Sequence, residues 1–328
     1  MSAATSSTAT SHRSYRGRRR WAAIAAVAAI ASVTAAGCGS DSDGASSSSD
    51  KATTTEAPTD TAAPASGAEP TKVEATLTDS AIEGLPDDLE AGVVEVAVTD
   101  ETTDEGAGGE LNFSLVADGT TEEDFAEGIS SVFEGGPFPE FMQNTAGAIG
   151  DATITLDEGS YIVWTDKSSN LDRESTQDDL VMSSLTVGPG TDGAALPESD
   201  GSVTASDYRF DVDIPAGEAT ITFTNESEKQ YHHVILTDFG SNDPELVADN
   251  LLAIIESDGE GEMPEGIDPE QMEFGVGQTS VFGPGSSGSF TTDLKAGNTY
   301  AAICFISDVE GGAPHAMQHE MFEVFTAS

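Results

Sequence analysis

The sequence predicts an all-β protein built as two β-sandwich domains in tandem, each carrying one helical insertion. Three observations carry that expectation. From residue 72 onward, short segments of alternating apolar and polar residues are separated by turn-forming residues. Aromatic residues make up only 6% of the 328 residues while Gly, Ser, Thr and Asp are plentiful, which favours short strands over a helical bundle. The strand pattern also occurs twice, as an internal duplication.

The elements follow in chain order. Residues 12–20 are basic, and Trp21 to Ala36 form an uncharged, largely apolar run too short for a membrane span and suited to a signal-peptide core. The run ends Ala35-Ala36-Gly37-Cys38, which resembles the lipobox of bacterial lipoproteins, although Leu is usual where Ala35 stands. That resemblance implies that residues 1–37 are removed and that Cys38 is acylated, anchoring the chain outside the cell membrane. Arg18-Arg19-Arg20 is not followed by residues that strengthen a twin-arginine signal, so general export is expected. Residues 39–70 hold almost only Ser, Thr, Ala, Asp, Gly and Pro. Such a segment buries too little to offset its ordering entropy, so residues 38–70 read as a lipidated cysteine and a disordered tether.

The first domain is expected at 71–190 and the second at 201–328, with a Gly/Pro/Asp/Ser-rich linker at 191–200. LEAGVVEVAVTDE (89–101) aligns without a gap to IPAGEATITFTNE (214–226), and ATITLDEGSYIVW (152–164) matches SFTTDLKAGNTYAAI (289–303) with small slips. Between the paired segments lies one helical stretch per half. Phe125, Ile129, Val132 and Phe133 recur at helical spacing within Thr121 to Phe133. Asp243 caps a second stretch begun by Pro244, with Leu246, Val247, Leu251, Ile254 and Ile255 along its buried side.

Charge narrows the function classes. There are 59 acidic against 12 basic side chains, and five of the bases are arginines within the first twenty residues. Without them the balance is 59 against 7, a net charge of −52. Such a surface repels phosphate backbones and excludes nucleic-acid partners. No nucleophile elbow or phosphate loop is present, and the acidic run Glu256 to Glu273 lacks the EF-hand spacing. A non-enzymatic protein is the expectation.

The second half resembles a cupredoxin, the Greek-key β-sandwich of the blue copper proteins. The likeness lies in PAGEATITFTNES, YHHVIL (231–236), AGNTYAAICF (296–305) and the closing GGAPHAMQHEMFEVF (311–325). It implies the same fold for each half, and copper as cofactor, held by His233 (or His232), Cys304, His315 and one of Met317, His319 or Met321, with Met321 preferred. Two imidazoles and a thiolate with a weak thioether suit both copper oxidation states. The spacing departs from the family, because ten residues separate Cys304 from His315 where two to four are usual. Alternation with Ile235 points His233 inward and His232 outward.

A second metal reading uses His315, Met317, His319 and Met321, which an extended segment would place on one face as a Cu(I) cluster. Each residue also has a plainer reading: Cys304 among Ala301, Ala302, Ile303 and Phe305 suits a core strand, and His315 suits a loop surface. Every histidine beyond the signal lies in the second half, and the alignment sets Asn112 and Phe113 opposite the His pair and Trp164 and Thr165 opposite Ile303 and Cys304. A metal site in the first half is therefore not expected. No His-x-His or His-Cys-His run exists, which excludes the multicopper oxidase and nitrite reductase types. The expectation is a lipid-anchored surface protein handling copper or electrons with a protein partner. Its alternative is a copper-free module binding an extracellular protein or small ligand.

Overall fold

The computed structural model describes residues 69–328 except 172, 174, 191–193 and 258–262. The signal peptide, Cys38, the tether up to residue 68 and part of the linker lie outside the described residues. The chain is an all-β sandwich with a few helices. In the first half β1 (Thr71–Leu77), β2 (Ile82–Glu83), β3 (Leu89–Glu90), β4 (Gly92–Asp100) and β5 (Glu110–Val116) precede helix α1 (Glu122–Phe133). Then come β6 (Met142–Ile149), β7 (Ala152–Leu156), β8 (Gly159–Asp166) and β9 (Leu180–Gly188). The second half repeats the plan: β10 (Gly201–Ser206), β11 (Arg209–Asp213), β12 (Gly217–Asn225) and β13 (Ile235–Asp238) precede α2 (Pro244–Glu256). After it follow β14 (Glu273–Gln278), β15 (Ser287–Leu294), β16 (Thr299–Ile303), the single turn α3 (His315–Gln318) and β17 (Phe322–Thr326).

The second helix begins where the sequence places it, and the first begins one residue after Thr121, which caps it. The Thr121 hydroxyl accepts the Asp124 amide at 3.1 Å while the Asp124 carboxylate accepts the Thr121 amide at 3.1 Å, closing a capping box. Asp243 accepts the Leu246 amide at 3.0 Å, and Pro244 occupies the first helical position, where no donor is needed. Val247, Leu251, Ile254 and Ile255 then face inward.

The halves are joined by a shared sheet. One eight-stranded sheet runs β2-β1-β4-β7-β15-β12-β10-β11. Outward from the β7–β15 seam the two sides match: each has a parallel pair, β1 with β4 and β10 with β12, and an antiparallel outer strand. A five-stranded sheet, β3-β9-β8-β5-β6, covers the first half, and a four-stranded sheet, β14-β13-β16-β17, covers the second. The seam is short, pairing Gly288 with Ile154 and Ser289 with Thr153. Gly288 is required there, because an added Cβ would meet the Thr153 carbonyl oxygen at 2.7 Å. One apolar core spans the seam, from Val73, Val94, Phe113 and Ile154 to Phe223, Leu236, Tyr300 and Cys304.

The four-stranded sheet is buried on both faces. Val234, Leu236, Ala302, Cys304 and Met321 belong to the core between the sheets. Ala301 and Ile303 pack on the opposite face under α2, with Phe239, Val247 and Leu251. Both parities of β13 and β16 are therefore apolar, and alternation alone does not say which faces the core.

Candidate metal centre

His232, Cys304 and His315 form the group of potential metal donors found among the described residues, with their ligand atoms within 4.8 Å of one another. All three side chains are buried at 0% exposure. The Nδ1 atoms of His232 and His315 each lie 3.6 Å from the Cys304 Sγ. A first-row ion bonded at about 2.3 Å to sulfur and about 2.0 Å to nitrogen sets these atoms about 3.5–3.7 Å apart at tetrahedral to trigonal angles. The two sulfur–nitrogen separations are thus those that one ion would set.

Each donor is delivered by a different piece of backbone. Cys304 follows the end of β16, and its amide donates to the Met321 carbonyl at 3.2 Å. His232 is held in a two-way bridge with Phe282, its amide donating at 3.0 Å and its carbonyl accepting at 2.8 Å. His315 returns at the end of the long loop, which closes on itself. Ser307 bridges Pro314, the His315 amide donates to the Ile306 carbonyl at 2.8 Å, and the Ala316 amide donates to the Cys304 carbonyl at 2.9 Å. The ten-residue spacing is therefore a hairpin whose base clamps ligand to ligand.

The outer ring nitrogens have neighbours of their own. Ser227 Oγ lies 2.8 Å from His232 Nε2. Asp308 Oδ1 lies 3.4 Å from His315 Nε2, an electrostatic contact longer than a well-formed hydrogen bond. A carboxylate there favours the proton on Nε2 and leaves the Nδ1 lone pair facing the sulfur. Asp308 is itself fixed: it accepts from the Tyr208 hydroxyl at 2.8 Å and the Gln318 amide at 2.9 Å, and its Oδ2 lies 3.0 Å from His319 Nε2. Tyr208 stacks on His319 at 3.7 Å between ring centroids and sets its edge toward His315.

Burial governs the charge states. It lowers the His232 pKa to about 3, with the neighbouring imidazoles of His315 and His233 adding to the effect. It lowers that of His315 to about 4 against the opposing pull of Asp308. The same burial pushes the Cys304 thiol up to about 12. The metal-free site is a neutral trio, and a bound cation would displace the thiol proton. For Asp308, burial works upward, but bonds from His319 and Tyr208 outweigh it and hold the carboxyl below its usual range.

Two sequence expectations are corrected here. His233 does not join the cluster; its Nε2 accepts the Phe305 amide at 2.8 Å on the α2 side of the sheet. Ile235 pairs with Ile303 beneath α2 and does not face the core; His232 shares parity with Val234 and Leu236, which do. The extended face of His315, Met317, His319 and Met321 does not form either. Residues His315–Gln318 make a helical turn, with the His319 amide donating to the His315 carbonyl at 2.9 Å. Met317 packs with the α2 cluster, His319 against Tyr208 and Asp308, and Met321 at 0% exposure in the core that holds Cys304.

The equivalent place in the first half holds no histidine or cysteine. The pairing Asn112 with Trp164 corresponds to Ile235 with Ile303, so Thr165 matches Cys304. The same register sets Gly109 and Glu110 opposite the His pair, rather than Asn112 and Phe113. Asn112 and Phe113 instead match Ile235 and Leu236, three residues further on.

No protein-family profile matches the chain. No curated protein matches it. Among solved structures, the chain is similar to dithionite-reduced auracyanin from Roseiflexus castenholzii at 23% identity, over 39% of this chain and 94% of that one, with a TM-score of 0.24. Auracyanin A, a "blue" copper protein from Chloroflexus aurantiacus, matches at 21% identity over 39% of this chain and all of that one, with a TM-score of 0.22. The azurin Az-iso2 of Methylomonas sp. strain J matches at 19% identity over 31% of this chain and 83% of that one, with a TM-score of 0.18.

Proposed function

We propose that the chain is a lipid-anchored, cupredoxin-like electron carrier of the outer cell surface that binds one copper ion through His232, Cys304 and His315. The observation that carries this reading is the pair of 3.6 Å separations between Cys304 Sγ and the two Nδ1 atoms, with the three side chains fully buried. Two imidazoles and one thiolate, with the Met321 thioether as candidate weak fourth donor, are the donor set that suits copper in both oxidation states. Bound copper would supply a one-electron couple there. The chain's own residues hold the donors before loading: strand ends fix Cys304 and His232, the loop base fixes His315, and Ser227 and Asp308 orient the rings.

Full burial favours electron transfer over copper delivery. An electron leaves a buried centre without the protein opening, whereas metal exchange needs His315 and its Tyr208–His319 cover to move aside. The acidic surface suits a basic protein partner for electron exchange. Anchorage rests on the Gly37-Cys38 junction, and it predicts that Cys38→Ala shifts the protein from the membrane fraction to the medium.

Titration of purified protein with copper tests the site. One equivalent taken up, with an intense visible thiolate-to-copper absorption that Cys304→Ser abolishes, is the expected result. Failure to bind either Cu(I) or Cu(II) at micromolar concentration sinks the reading and leaves the copper-free binding module.

A further inference from the structure

We propose that the first half, which has no histidine or cysteine, is the positioning element of the metal centre: it holds the long Cys304–His315 loop and, through it, His315. The inference deepens the copper reading and rests on it. The segment after α1 runs against the outer end of that loop. The Phe138 amide donates to the Val309 carbonyl at 2.9 Å, and the Gly312 amide donates to the Gly135 carbonyl at 3.0 Å. The two backbones touch at Gly311, which has a φ of +87° and whose added Cβ would lie 2.7 Å from the Gly135 carbonyl oxygen.

The other imidazole is tied to the same segment. Phe138 stacks on Tyr231 with centroids 4.6 Å apart, and Tyr231 immediately precedes His232. The Tyr231 hydroxyl donates to the Met142 carbonyl of β6 at 3.3 Å. Ile306 and Val309 of the loop, with Tyr231, pack into the apolar cluster formed by Phe125 and Ile129 of α1 and Ile162 of β8. The loop is thus pinned at its base by its own hairpin and at its tip by the first half.

Physical chemistry makes the tip matter. A ten-residue excursion has many closed conformers. Tyr208, Gln318 and Gln230 tie Asp308 and Val309 from the second half, and the stretch at Gly311 and Gly312 is tied by the first half. Fixing the tip removes that freedom. It also steadies Asp308, the loop residue whose carboxylate faces His315. A domain that served only as a spacer would need no backbone bonds to the loop of its neighbour.

The test uses the full chain with Phe138→Ala and Phe138→Tyr. In metal-free protein, amide exchange at Gly312 and His315 is followed by NMR, with β12 amides as internal reference. Phe138→Ala speeds exchange at both amides about tenfold while β12 is unchanged, and Phe138→Tyr restores protection. In copper-loaded protein, Phe138→Ala releases the metal to a chelator about tenfold faster and shifts the visible absorption. Unchanged exchange at Gly312 and His315 overturns the brace even if copper binds. Faster exchange in a protein that takes up no copper keeps the brace and overturns the copper reading.

Discussion

His315 Nδ1 stands 3.6 Å from the Cys304 Sγ although the two residues are eleven positions apart and a closed hairpin separates them. The loop does not shorten to bring its ends together. It folds outward, pairs Ser307 with Pro314, and returns the histidine through the Ile306 carbonyl. The site's geometry belongs to the base of that hairpin, and its steadiness to what holds the tip.

The two adjacent histidines are separated by one substitution each. His232→Ala removes a donor and abolishes the thiolate–copper absorption. His233→Ala leaves the absorption in place but removes the bond that the Phe305 amide donates, which costs about 1 kcal/mol of stability. Visible spectra with denaturant titration separate the outcomes, and the reverse pattern would restore His233 as ligand.

Asp308→Asn keeps the shape of the side chain but removes its charge beside His315. Copper affinity falls about 10–100-fold, read by competition with a chelator. Asp308→Ala falls further, because Tyr208, Gln318 and His319 all lose their shared partner.

The seam between halves is a stability element. Calorimetry of the wild type shows one cooperative transition, because the core is continuous across β7 and β15. Gly288→Val drives a side chain into the Thr153 carbonyl and the Phe282 ring and costs about 1–3 kcal/mol. Two resolved transitions in the wild type would show that the halves fold independently.

Asp179 gives the chain an acid dependence away from the metal site. Arg173 bonds its carboxylate at 2.6 and 2.5 Å, and the Thr176 hydroxyl and amide add to it, so its pKa lies well below the usual range. A depressed carboxylate stabilises the fold fully above its unfolded value of about 3.9 and loses that contribution as pH falls toward the folded value. Asp179→Asn therefore costs about 1 kcal/mol at neutral pH, a figure kept small because Arg173 is 45% exposed. The gap to wild type narrows as acid is added below about pH 4. A gap independent of pH would exclude this pair as its source.

What the sequence determined by itself was everything that depends on local period and chemistry. Strand alternation set the all-β class, Asp243 set the start of the second helix, and the likeness of the closing segment to cupredoxins named Cys304 and His315. The repeat of GVVEVAVT and GEATITFT foretold the matched strands β4 and β12. Only the tertiary structure decided which imidazole joins them. A sheet covered on both faces has apolar residues at both parities, so Ile235 and Leu236 point to opposite sides with equal local logic. The helical turn at His315–Gln318, the reach of Asp308 to His315 and the grip of Gly135 and Phe138 on the loop are contacts between distant segments. No periodicity encodes them, because they arise only when the two halves close around one shared sheet.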